Sequence, residues 1–135
     1  MRNLQIHLLA IVCAFLPVLA SGAEPPDVED GKGLVILYRQ AKVKGAAIRF
    51  NMSGTSGLSG SLTNGSWINE QLVPGEYTYS VSSPSFDGRD SVTITVVEGH
   101  TYYVKGEILW GWPAGRAKFT LQSQATGQAE LGTIK

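Results

Sequence analysis

Between Leu58 and Val81 the chain reads LSGSLTNGSWINEQLVPGEYTYSV, and this stretch constrains the fold more than any other. Asn64-Gly65 places two residues that accept positive φ at little cost, the requirement of a two-residue hairpin turn. Pro74-Gly75 presets a second turn, with proline first and glycine second at its centre. The runs around them alternate, with Ile68 and Leu72 on one parity and Tyr77, Tyr79 and Val81 in the next. The pattern predicts strand, tight turn, strand, tight turn, strand: an antiparallel meander.

The flanking sequence extends the β pattern. Leu34–Tyr38 is an unbroken apolar run of strand length, which predicts a strand covered on both faces. Ile48, Phe50 and Met52 share a parity, as do Val92, Ile94 and Val96, with Thr93 and Thr95 opposite them. Pro74-Gly75 is read as a turn in which Gly75 takes positive φ. Residues 101–110 are rich in aromatic and β-branched side chains, and alternation returns around Phe119 and Leu121. The tail from Ser123 is polar and small, apart from Ala129, Leu131 and Ile134, and no segment sustains a helical period. Short strands with frequent turn signals predict an all-β fold, an antiparallel β-sandwich of seven or eight strands, with a small β-barrel as the alternative.

The first residues are of a different kind. Met1-Arg2-Asn3 precedes an apolar run from Leu4 to Ala20, and Ser21-Gly22-Ala23 supplies small residues before Glu24. This is the layout of a signal peptide cleaved after Ala23, because the run is short of the ~20 residues that span a bilayer. The chain then divides into a signal peptide (1–23), a flexible or extended Pro-rich acidic lead-in (24–32) and one β-sandwich domain (33–135). Export removes Cys13, the only cysteine, and His7, leaving His100 as the only histidine. Eleven basic and eleven acidic residues balance, so there is no overall field for nucleic acid, and membrane contact is expected to be peripheral at most.

A resemblance adds to this. The order of Leu37-Tyr38-Arg39, Gly60-Ser61-Leu62-Thr63-Asn64-Gly65-Ser66, Pro74-Gly75-Glu76-Tyr77, Glu98-Gly99-His100-Thr101-Tyr102-Tyr103-Val104-Lys105 and Ala129-Glu130-Leu131 resembles a bacterial domain-of-unknown-function family, number 2846. It is similar more loosely to PEGA-type surface β-domains. The resemblance implies an exported β-sandwich of the Gram-negative envelope with no assigned activity. Trp67 stands where the family has an aromatic such as tyrosine.

The inventory argues against an enzyme. One histidine and no mature cysteine supply neither an oriented nucleophile–base pair nor a three- or four-ligand zinc site. His100 is expected to play a structural role at a strand entry. The acids are scattered, and Asp87 and Asp90 are expected to cap a turn. Neither a cofactor nor a metal is implied. Two groups remain as binding candidates. Arg39, Lys42, Lys44 and Arg49 gather positive charge around one connection, as a solvated loop guarding a sheet edge or as a contact for an anionic envelope partner. Trp110-Gly111-Trp112-Pro113 sets two indoles at a strand end. Trp110 is expected to continue the parity of Tyr102, Val104 and Ile108 into the core. Trp112 is expected at the surface, where it would stack on a sugar or anchor a protein with help from Trp67 or Tyr103. The expected function is a non-enzymatic binding or structural module of the envelope, secreted or periplasmic. A glycan-binding module using loop tryptophans is the alternative.

Overall fold

A computed structural model describes residues 22–84, 86–111 and 115–135, without the side chains of 86–88. The signal-peptide expectation therefore lies almost wholly outside the described residues. Within them, eight strands and one helix form a β-sandwich. The strands are β1 (Gly33–Arg39), β2 (Phe50–Gly54), β3 (Ser59–Leu62), β4 (Ser66–Leu72), β5 (Gly75–Ser83), β6 (Phe86–Val96), β7 (Thr101–Leu109) and β8 (Arg116–Gln122). Helix α1 (Gln124–Leu131) follows.

The strands make two open four-stranded sheets, ordered β4-β1-β7-β8 and β3-β2-β5-β6, so the barrel alternative falls. All pairings are antiparallel except β1 with β7, which run parallel from Leu34–Thr101 to Tyr38–Lys105. The expected meander is corrected. β3 pairs with β2, β4 with β1, and β5 with β2 and β6, so three successive strands alternate between the sheets. A local turn reverses the chain without choosing its partner. Asn64-Gly65 does turn, with Gly65 at φ 68°. Burial then decides the pairing. β1 is buried along its whole length and needs cover on both edges as well as both faces, and β4 supplies one of those edges. Gly75 takes the expected positive φ (159°), but it is the first residue of β5 rather than the centre of a tight turn.

Alternation places the side chains. Val35, Leu37, Val104, Ala117 and Phe119 of the first sheet meet Phe50, Met52, Leu62, Tyr79, Val81, Ile94 and Val96 of the second. The opposite parity of β1, Leu34, Ile36 and Tyr38, forms a second core with Tyr103, Leu131 and Ile134 on the outer face of the first sheet. That core exists because the tail is helical, a correction to the sequence reading. Ser123 caps α1 by accepting from Thr126 N, and Gly127 lets the helix sit on Tyr103, whose Cγ lies 2.2 Å from where a Cβ would be. The lead-in is ordered by contact. Ala23 and Val28 pack on the second core, and the Gln71 amide bonds Asp27 O and Glu29 N.

Candidate functional site

Arg39, the last residue of β1, is 3% exposed although the sequence places it in a polar connection. Its guanidinium donates to Ile48 O and to Gly45 O (2.8 Å) and lies 4.2 Å from the centre of the Phe50 ring. Burial lowers its pKa, and among the described residues no carboxylate lies within ion-pair distance. A buried cation without a counter-charge is costly, so carbonyl dipoles and the ring face carry the compensation. The solvated-loop expectation therefore fails for Arg39. The residue organises the loop after β1 instead of decorating it.

That loop is folded by its own bonds. Ile48 N donates to Gly45 O, and Gly45 takes φ +81°. A Cβ there would come within 2.6 Å of Ile108 Cδ1, a side-chain tip that can move, so it is the positive φ that favours glycine where the loop closes against β7. Earlier in the loop the chain leans towards β4. Lys42 N donates to Asn64 Oδ1 (2.9 Å), and Ala41 lies against Gly65. A pocket of about 280 Å³ opens where the loop parts from β7, with Arg39, Gln40, Lys42 and Lys44 on one side. The other side is Lys105, Gly106, Glu107, Ile108 and Trp110.

The electrostatics of this pocket are one-sided. Lys105 is committed to Glu130 (2.6 Å), which also accepts from Tyr38 OH. Arg39, Lys42 and Lys44 then outnumber Glu107, the one acid among the described residues of the wall. The Lys44 ammonium sits 4.3 Å from the centre of the Trp110 ring, and Val43 between the two lysines is 99% exposed. The arrangement suits an anion with an apolar or planar body.

The aromatic candidates separate. Trp110 is 44% exposed, not core as its parity suggests, because β7 ends at Leu109 and the inward side beyond it opens on the pocket. Trp67 packs on the second core beside Tyr38, its register partner on β1. Tyr103 is buried beneath α1. Neither joins Trp110 in one stacking platform, and Trp112 lies outside the described residues. His100 stacks on Tyr102 and its carbonyl accepts from Leu34 N, about 15 Å along β1 from Arg39. Asp90 accepts from Phe119 N and ties β6 to β8, while the Asp87 side chain lies outside the described residues. Among the described residues no three His, Cys, Asp or Glu side chains gather as a metal site. No helix among them is long and apolar enough to cross a membrane.

Sequence reasoning missed Gly106, Glu107 and Ile108. They reach Arg39 only through the parallel β1–β7 pairing, and no local signal announces a contact so distant in sequence. No family model matches the chain, and no curated protein matches it. The motif resemblance therefore stands on the quoted residues alone.

Proposed function

We propose that this chain is an exported, non-enzymatic binding module of the cell envelope, and that its contact is the pocket at the end of β1. The observation carrying the reading is Arg39, a guanidinium buried in the wall of a cavity rimmed by Lys42 and Lys44, with no ion-pair partner among the described residues. An anionic partner supplies the missing counter-charge. The apolar run before Ser21-Gly22-Ala23 supports export, and mass spectrometry of the envelope protein should then find Glu24 first.

The test is Trp110 emission, taken as the difference between the protein and its Trp110→Phe variant. Acidic glycan fragments and acidic peptides are titrated beside neutral glycan fragments. The acidic ligands should saturate, weaken with salt, and lose about tenfold in affinity in a Lys42→Glu/Lys44→Glu variant of unchanged Tm. Binding that ignores the charge reversal would remove the reading. The exposed indole of Trp110 favours glycan binding as the second reading, and saturation by the neutral fragments alone would select it.

A further inference from the structure

The first sheet has a gap, and the pocket is that gap. Leu34 N donates to His100 O, so the even-numbered residues of β7 turn their backbone N–H and C=O towards β1 and the odd-numbered ones towards β8. The β1–β7 ladder stops at Tyr38–Lys105, whereas β7–β8 pairing continues to Leu109–Arg116. Ile108 is therefore an even residue within β7 that lies past the end of its neighbour. Its N–H and C=O face the slot left when the chain after Arg39 bends away to Asn64.

We infer that the slot receives the end of an extended acidic peptide, which adds as a short strand along Ile108 and sets its carboxylates against Arg39, Lys42 and Lys44. This rests on the anionic-partner reading above and names the partner's chemistry. An exposed strand edge is matched best by another backbone, because donor and acceptor recur there at the strand's own spacing. A sugar has no such repeat. About 280 Å³ lies at or just below the lower end of ordinary ligand pockets, which suits a few residues of chain rather than a long oligomer. The cations beside the edge then choose acidic sequence over neutral.

The probe is the peptide Val-Glu-Val-Glu-Val with a free carboxylate, alongside two versions N-methylated on alternate residues, one set on each parity. A strand has one hydrogen-bonding parity towards each neighbour, so one methylated peptide should lose about tenfold in affinity and the other should bind within about threefold of the parent. The Ile108 amide should exchange about tenfold more slowly in the complex. Equal behaviour of the two methylated peptides, or unchanged exchange at Ile108, overturns strand addition. A uronic acid trimer and inorganic phosphate are titrated in parallel. If either binds and the peptide does not, the peptide is overturned while the anionic pocket stands. If no anion binds, both fall together.

Discussion

Arg39 shows how a single side chain links fold and site. It carries the loop carbonyls of Gly45 and Ile48, covers Phe50, and brings a positive charge to the pocket wall. Lysine keeps the charge but not the planar fork, and cannot hold two carbonyls in the same geometry. Arg39→Lys should therefore cost about 1–3 kcal/mol in urea unfolding, the penalty of leaving a buried carbonyl unsatisfied. A variant as stable as the parent would mean that the carbonyls find water and that the loop is not built on Arg39. Only the residue's charge was legible in the sequence. Its burial depends on the Gly45 turn and on the Phe50 ring eleven positions on, which no neighbouring residue reports.

At the level of elements, alternation was legible wherever one face is wet. In β6, Ile94 is buried against the other sheet and Thr93 lies outside, its Oγ1 paired with Thr78 Oγ1. Ile94→Ala should cost roughly 2–5 kcal/mol by transfer and cavity formation, and Thr93→Ala on the order of 0.5–1 kcal/mol. Equal losses in chemical denaturation would show that both faces of β6 are covered. The run Leu34–Tyr38 likewise announced a strand buried on both faces, which β1 is. What covers its outer face was not legible. Helix α1 is short, has Gly127 in its middle, and shows no apolar period; Ser123 with Thr126 was its one signal. Gly127→Ala decides between two opposed effects. Helix propensity favours alanine by about 1 kcal/mol, but the new methyl would meet the Tyr103 ring. Overpacking of about 1–3 kcal/mol should exceed that gain and lower the melting temperature, and Tyr103→Leu in the same chain should not restore it, because leucine keeps the Cβ and Cγ that the methyl meets. A rise in melting temperature from Gly127→Ala alone would mean that α1 moves off the sheet freely.

Across the whole molecule, two tyrosine–carboxylate contacts join the three layers. Tyr79 OH donates to Glu70 Oε2 (2.6 Å) from one sheet to the other through the inner core. Tyr38 OH donates to Glu130 Oε1 (3.1 Å) from the first sheet to α1. Both rings are fully buried. Burial, and then the facing carboxylate, raise both phenol pKa values well above the ordinary 10.0. Tyr103 beneath α1 is also raised by burial. A raised pKa on an acid means that the folded chain holds protons the unfolded chain has released. The stability from these groups is therefore complete below about pH 10 and is lost as pH climbs towards the folded values. Urea midpoints should be flat in these groups through neutrality and begin to fall only as the pH rises past about 10. Lysines also discharge in that range, so the informative measurement is a difference. Tyr38→Phe/Tyr79→Phe removes both ionisations while keeping the ring volume. It should start less stable at neutral pH, because two hydrogen bonds are gone, yet lose less on going to alkali. The same alkaline fall in the double variant would place the sensitivity elsewhere and leave the two contacts as ordinary hydrogen bonds between layers already held by their cores.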